Sequence, residues 1–196
     1  WFAGEQHRLW NGGDPAEGYR FDSHFLTKLV CMSNVLFARL VRARGPNFQI
    51  NAACSSTTVA LAVAADMIRS GRAARAVVLA ADDVTSGPML EWVAAGFLAA
   101  GASATDASVV DAAIPFDRRR HGMVLGMGAV CLVLERQRDV RARGVASIGE
   151  LLAPRLSNSA GHFTRPDSDF IRGELDALLG QAERTHGLDR QAIAAE

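Results

Sequence analysis

Two short, uninterrupted apolar runs constrain the fold of this chain more than any other feature. They are Ala76–Ala81 and Ala129–Leu134. Apolar residues that do not alternate with polar ones are typical of parallel strands covered on both faces. Because helical patterns separate the runs, the sequence predicts an α/β protein with a mixed, mostly parallel sheet. Its strands are expected at 47–51, 76–81, 129–135 and 146–152.

The helical segment from Ser55 to about Arg69 stands out by its composition. It consists mostly of Ala, Val and Leu with few charges, so it predicts a helix buried at the centre of the fold. Gly71 follows it in the position of a C-terminal cap. Further helices are expected at about 22–43, 88–99, 136–143 and 167–185, and an irregular stretch at about 101–125.

The composition excludes several classes of protein. Hydrophobic residues make up 49% of the 196 residues and charged residues 21%, which excludes a mainly disordered chain. The 21 basic and 21 acidic residues cancel, so no net charge attracts the chain to nucleic acid or to an anionic membrane surface. The three cysteines are odd in number and widely spaced. This spacing supports neither a disulfide framework nor a zinc site and indicates a reducing, cytoplasmic setting.

The two ends of the sequence indicate a partial domain. The chain opens on Trp1-Phe2 without a methionine, and its last residues, up to Glu196, read as the beginning of a further element. We therefore expect residues 1–196 to be part of one larger domain that is truncated at both ends.

The sharpest chemical feature is the segment Ile50-Asn51-Ala52-Ala53-Cys54-Ser55-Ser56, which places a cysteine where a strand is expected to meet the Ala-rich helix. Free N–H groups and the helix dipole favour a thiolate at such a position, and the small neighbours leave room for a substrate. Cys54 is therefore predicted to be a nucleophile. Cys31, expected in a helix, and Cys131, expected in a buried strand, are interpreted as core residues.

Five motifs in order resemble the β-ketoacyl synthases, condensing enzymes of fatty acid and polyketide synthesis with the thiolase fold. Ala53-Cys54-Ser55-Ser56, preceded by Gly45-Pro46, resembles their active-site segment. The other four motifs are Gly96-Phe97-Leu98-Ala99-Ala100-Gly101-Ala102-Ser103, Pro115-Phe116-Asp117 with Arg119 and Gly122, Gly126-Met127-Gly128-Ala129 with the strand to Glu135, and His162-Phe163-Thr164-Arg165-Pro166.

The resemblance implies an acyltransferase in which Cys54 takes an acyl group from a carrier thioester. The acyl group then condenses with a malonyl-type thioester and carbon dioxide is lost. By the same resemblance, Phe97 borders the acyl pocket, and Thr164 and Arg165 line the substrate entrance. No metal and no dissociable cofactor is implied, since the substrates arrive on the phosphopantetheine of an acyl carrier protein. A homodimer is the implied assembly, without nucleic acid or membrane insertion.

The sequence departs from the family pattern at two matched positions and lacks two motifs. Met127 stands where the family usually has an acidic residue, and His121 stands where it usually has Asp. The family's two histidine motifs, and the lysine between them, are absent from residues 1–196. We therefore expect this chain by itself to be inactive in condensation.

Two other hypotheses remain open from the sequence. One is a thiolase-like condensing enzyme that uses acyl-CoA. The other is a non-catalytic, synthase-like subunit that pairs with an active partner. The presence of Cys54 argues against the second hypothesis, whereas Met127 and the absent histidine motifs keep it open.

Overall fold

A computed structural model describes residues 32–84, 89–152, 154–161 and 165–191. The chain divides into two compact units, one holding the described residues up to 49 with 79–130, the other 50–78 with 131–191. The elements are α1 (Ser33–Val41), α2 (Ser56–Arg69), β1 (Arg75–Asp82), α3 (Met89–Ala99), α4 (Val109–Ala112), β2 (Gly128–Glu135), α5 (Gln137–Ala142) and α6 (Ser168–His186).

Both apolar runs form strands, as predicted, and β1 pairs with β2 in a two-stranded sheet. In the second unit, Glu135 at the end of β2 links the two strands. Its carboxylate accepts from the Arg75 guanidinium at 2.5 Å and also pairs with Arg143. The hydrogen bond from Arg75 is the main cause that lowers the pKa of Glu135, and Arg143 adds to it. The carboxylate is therefore held ionised where the strands meet.

The strands predicted at 47–51 and 146–152 are wrong, because neither segment is extended in a ladder. A strand exists only with a hydrogen-bonded neighbour, and in the described part of the chain only β1 and β2 form one. Instead, side chains anchor both segments. Asn47 accepts from Asn34 at 2.6 Å, and the Leu152 carbonyl accepts from Arg69 at 3.1 Å. Ile148, expected inside the sheet, is 98% exposed.

The strands are also less covered than their apolar sequences predict. In β1 only Val78 is buried, and β2 is mostly exposed. Covering both faces of a sheet needs a layer of helices on each side, and the described residues do not supply both. The prediction that these strands are buried is therefore wrong for this structure.

The Ala-rich helix α2 is the best-buried element, which agrees with the prediction from its composition. Six hydrophobic residues of the described chain are buried, and all lie in the second unit. Four of the six belong to α2, which begins directly after the cysteine turn. These four residues lie from the middle of α2 onward, so the end of the helix far from Cys54 is its best-buried part. The six residues are Ala62, Ala64, Ala65, Ile68, Val78 and Ala182.

The helix boundaries follow from local chemistry. Gly71 adopts φ +75° after α2, as expected of a residue that ends a helix in the left-handed region. Asp167 caps α6 by accepting from the Phe170 N–H at 2.9 Å, and Gly187 ends that helix at φ +66°. His186 is the last residue of α6, which confirms its interpretation as a helix-terminal residue. No described helix is long and apolar enough to cross a membrane.

Candidate active site

Cys54 lies on a tight turn that leads into α2. Ser55 is the N-cap residue and the helix begins at Ser56, so the cysteine stands one residue before the cap. Its side chain is exposed. A thiol in this position can be reached by a substrate while its backbone is fixed to the most deeply packed helix of the described chain. The structure thus places Cys54 at the helix start that the sequence predicts.

The turn depends on an unusual backbone conformation at Ala53, which has φ +48°. This left-handed region costs a residue with a side chain roughly 1–2 kcal/mol. Three local hydrogen bonds hold the chain there. The Ala53 N–H donates to the Asn51 side chain at 3.2 Å, and the Ser55 N–H and the Ser56 N–H donate to the carbonyls of Ala52 and Ala53, each at 3.1 Å. The chain therefore reverses sharply immediately before the thiol.

Two serine hydroxyls add hydrogen bonds to the same turn. The Ser55 hydroxyl donates to the Ala52 carbonyl at 2.7 Å. The Ser56 hydroxyl accepts from the Ala52 N–H at 2.9 Å and donates to the Ala53 carbonyl at 2.6 Å. Sequence reasoning included both serines in the matched segment, but it predicted neither their hydrogen bonds nor the left-handed conformation of Ala53. The available signal was the pair of serines directly after the cysteine, since Ser is a preferred residue at helix starts.

Cys131 is exposed on β2, which corrects its interpretation as a buried core residue. This error has the same cause as the wrong prediction that the strands are buried. The apolar run predicts a covering layer of protein that the described residues do not provide. Cys31, the third thiol, lies outside the described residues. Burial therefore does not separate Cys54 from Cys131, and any difference in reactivity has to come from their positions on the backbone.

Brief treatment of the folded protein with iodoacetamide is expected to label Cys54 faster than Cys131. The partial positive charge at a helix start stabilises a nearby negative charge, such as the one on an attacking sulfur, by about 0.3–1 kcal/mol, which corresponds to a rate ratio of about 2 to 5. A β-strand offers no comparable dipole. Peptide mapping at several times measures the ratio, and labelling in urea gives the intrinsic rates. Faster labelling of Cys131 in the folded protein would contradict this assignment.

The three predicted substrate-binding residues fall in different parts of the structure. Phe97 is half-buried on α3 in the first unit. Arg165 is exposed just before α6 and belongs, with Cys54, to the second unit. Thr164 lies outside the described residues. Phe97 and Arg165 are both at least partly accessible, as a ligand contact requires. The roles of all three residues stay predictions.

A second polar arrangement lies in the first unit, within the predicted irregular stretch at 101–125. There Nε2 of His121 lies 2.6 Å from the Asp106 carboxylate, and Nδ1 lies 3.1 Å from the Arg119 carbonyl. Both partners are acceptors, so only the protonated ring can donate to both. The carbonyl of Arg119, and then Asp106, raise the pKa of His121. Arg119 itself forms a two-point ion pair with Asp117, at 2.9 and 3.0 Å.

Comparison with known proteins identifies the family. The sequence model described as "Beta-ketoacyl synthase, N-terminal domain" matches residues 4–140. The chain belongs to the β-ketoacyl synthase family. It is 38% identical over 133 residues to 3-oxoacyl-(acyl-carrier-protein) synthase 2 of Vibrio harveyi. The aligned segment covers 67% of this chain and 31% of that protein. It is 34% identical over 145 residues to the tetracenomycin polyketide synthase ketoacyl synthase alpha subunit of Streptomyces glaucescens, covering 73% and 33%.

The fold agrees with this membership of the β-ketoacyl synthase family. A crystal structure of a β-ketoacyl synthase from Burkholderia phymatum STM815 superposes with a TM-score of 0.69, over 93% of this chain and 43% of that one, at 21% identity. The fold is therefore α/β and thiolase-like, as the resemblance implied. This chain spans about a third of the length of the curated relatives described above.

The two residues that depart from the family pattern, His121 and Met127, have different surroundings in this chain. His121 has its own acidic partner, Asp106, so an imidazole ring pairs with a carboxylate at a position where the family usually has Asp. Met127 is 67% exposed and lines an open hollow. The hollow is lined by Ala81, Asp82, Asp83, Met127, Gly128 and Ala129. Within the described residues, no cluster of His, Cys, Asp and Glu could hold a metal ion.

The pair of His121 and Asp106 predicts a specific pH dependence. Because the pKa of His121 is raised in the folded protein, its contribution to stability is complete below about pH 6.5, the ordinary pKa of histidine, and is lost as the pH rises through the folded-state pKa. An NMR titration of the His121 ring is expected to give a pKa above the ordinary value. In Asp106→Asn the pKa should fall toward that value, although the Arg119 carbonyl keeps part of the shift. A wild-type pKa at or below the ordinary value would refute this account.

Proposed function

We propose that the complete protein is a 3-oxoacyl-(acyl-carrier-protein) synthase-type acyltransferase of fatty acid or polyketide biosynthesis. The observation that carries the proposal is the exposed Cys54 on a strained turn at the start of the buried helix α2, in a chain of the β-ketoacyl synthase family. Relatives named as 3-oxoacyl-(acyl-carrier-protein) synthase 2 and as polyketide synthase subunits support this class of reaction.

The first half of the proposed reaction loads the enzyme. The Cys54 thiolate attacks the thioester carbonyl of an acyl group carried on phosphopantetheine. A C–S bond to Cys54 forms, the carbonyl oxygen becomes negative, and the bond to the carrier sulfur then breaks. The carrier thiolate leaves and takes the proton that Cys54 gave up. Cysteine suits this step because it is a strong nucleophile and its thioester remains reactive.

The second half forms the carbon–carbon bond. A malonyl-type carrier thioester loses carbon dioxide, and the resulting enolate carbon attacks the acyl carbonyl on Cys54. The C–S bond to Cys54 breaks, which regenerates the thiolate. Enolate stabilisation needs donors aimed at the developing charge. None of the five histidines of this chain, His121 and His186 among them, lies in one of the family's two histidine motifs. We therefore assign enolate stabilisation to residues outside residues 1–196.

The proposal also covers the partner protein, the cofactors, the cellular location and the assembly of the enzyme. An acyl carrier protein delivers both substrates, no metal or dissociable cofactor takes part, and the enzyme acts in the cytoplasm as a homodimer. Phe97 borders the acyl pocket, while Thr164 and Arg165 line the substrate entrance. The uncovered apolar residues of β2, among them Val130 and Val133, support an assembly in which further protein surface covers the sheet.

The decisive test supplies the complete protein with an acyl carrier thioester and a malonyl carrier thioester. We expect carbon dioxide and a 3-oxoacyl carrier product in equal amounts, and both should require the acyl donor. Product from two acyl-CoA molecules without carbon dioxide would indicate a thiolase-like enzyme instead. Neither product, with an active partner subunit required for turnover, would indicate the non-catalytic alternative.

A further inference from the structure

One hydroxyl group spans the turn that carries Cys54. The Ser56 oxygen accepts a hydrogen bond from the Ala52 N–H at 2.9 Å, and the same hydroxyl donates to the Ala53 carbonyl at 2.6 Å. A hydroxyl has one donor and two acceptor positions. The hydroxyl is the acceptor in one bond and the donor in the other. A Ser or Thr hydroxyl can make both bonds, whereas the side chain of Ala or Cys cannot replace them. We call this arrangement the Ser56 clamp.

The Ser56 clamp holds the residue that needs support most. Ala53 lies between the two clamped groups and has φ +48°, a left-handed conformation that strains any residue with a side chain. Each hydrogen bond of the clamp offsets part of that strain. The clamp adds to the other hydrogen bonds that hold the turn, from the N–H groups of Ala53, Ser55 and Ser56 and from the Ser55 hydroxyl. Without the Ser56 hydroxyl the turn keeps those bonds but is held less tightly, so the peptide between Ala53 and Cys54 is less well oriented.

The clamp also fixes the direction of the N–H group of Cys54. The peptide bond between Ala53 and Cys54 is a planar unit, and in a trans peptide its C=O and N–H point in opposite directions. The Ala53 carbonyl accepts from both the hydroxyl and the N–H of Ser56, so it points toward the start of α2. The Cys54 N–H consequently points away from the helix start.

We propose that Ser56 is a positioning residue for acyl transfer, because it holds the Cys54 N–H in the direction needed to stabilise the oxyanion. This inference rests on the proposed function of Cys54. The thiolate attack places a negative charge on the carbonyl oxygen, and preorganised N–H donors stabilise that charge. Ser56 acts through the peptide and does not touch the substrate.

The test compares Ser56→Ala, Ser56→Thr and a matched control, Ser70→Ala, in the complete protein. Ser70 lies at the other end of α2, and its hydroxyl also donates to a carbonyl three residues earlier, that of Met67 at 3.2 Å. Each variant is treated with p-nitrophenyl acetate, which acylates Cys54 with release of p-nitrophenolate, and separately with iodoacetamide. Acylation passes through an oxyanion, whereas alkylation by iodoacetamide does not.

Ser56→Ala should acylate about 10- to 100-fold more slowly, less than the loss on deleting a donor outright, about 10²–10³-fold. Its alkylation rate at Cys54 should stay within about 3-fold, and Ser56→Thr should restore acylation because it keeps the hydroxyl. Ser70→Ala should match the wild type in both reactions. Equal acylation in Ser56→Ala, or equal losses in acylation and alkylation, would overturn the inference.

The same data separate this inference from the proposed function. If the ester acylates wild-type Cys54 and Ser56→Ala slows that step, the clamp stands even when no carrier-dependent condensation is found. If condensation occurs but Ser56→Ala acylates normally, the function stands and the clamp fails. If the ester and the carrier thioester both leave wild-type Cys54 unmodified, both proposals fall.

Discussion

Replacing Cys54 by alanine should lower the rate of 3-oxoacyl product formation by at least about 10³-fold, because the variant has no atom that can accept the acyl group. Stability should change little, within about 0.5 kcal/mol, since the side chain is exposed. Steady-state assays of the complete protein with carrier-bound substrates measure the rate, and urea unfolding measures the stability.

The matched control for this prediction is Cys131→Ala. Cys131 is also an exposed thiol, but it lies on β2 rather than at a helix start. Its replacement should leave the rate within about 2-fold, as expected of a surface change away from the reacting atoms. A Cys54→Ala variant that kept a tenth or more of the activity, or a Cys131→Ala variant that lost it, would assign the chemistry to another residue.

Gly122→Ala should be the most destabilising small substitution in the irregular stretch of the first unit. A Cβ at this position would lie 2.4 Å from the Ala104 nitrogen and 2.5 Å from the Ser103 carbonyl carbon, both of which are backbone atoms that cannot swing aside. Gly122 also has φ +75°. The backbone conformation alone costs about 1–3 kcal/mol with a side chain present, and the overlap adds to that cost.

Hydrogen exchange locates the effect of Gly122→Ala. The close approach is maintained by two backbone bonds, from the Ala104 N–H to the Met123 carbonyl at 2.9 Å and from the Met123 N–H to the Ala102 carbonyl at 2.8 Å. These two N–H groups should exchange faster in the variant. Gly126→Ala is the control, because nothing lies within 4 Å of its added Cβ. If the two alanine variants had equal stability and equal exchange, the close contact at Gly122 would be refuted.

The elements that sequence reasoning predicted well are those determined by local chemistry. The Ala-rich composition after Ser55 predicts α2, and the capping residue Asp167 together with Gly187 defines α6. The apolar runs predict β1 and β2. The two wrong strands, at 47–51 and 146–152, depend on partners that a local pattern cannot reveal, and the exposure of Cys131 depends on which layers cover a sheet.

The candidate site was predicted in position but not in its geometry. The sequence places Cys54 at a helix start because the small residues before it and the helix after it are both local signals. It does not predict the left-handed conformation of Ala53, since alanine carries no preference for it. Nor does it predict that the hydroxyl of Ser56 returns to the peptides of Ala52 and Ala53. The partner of His121, Asp106, is fifteen residues away and had no sequence signal.

The most direct measurement of the central claim is the site and stoichiometry of the acyl-enzyme. The complete protein is mixed with an acyl carrier thioester without the malonyl substrate, quenched in acid and analysed by intact-protein and peptide mass spectrometry. We expect one acyl group per chain on Cys54, and its loss on addition of a malonyl carrier thioester, with one carbon dioxide released per acyl group. Acylation of Cys131 or of a serine, or product formation without any acyl group on Cys54, would contradict the account.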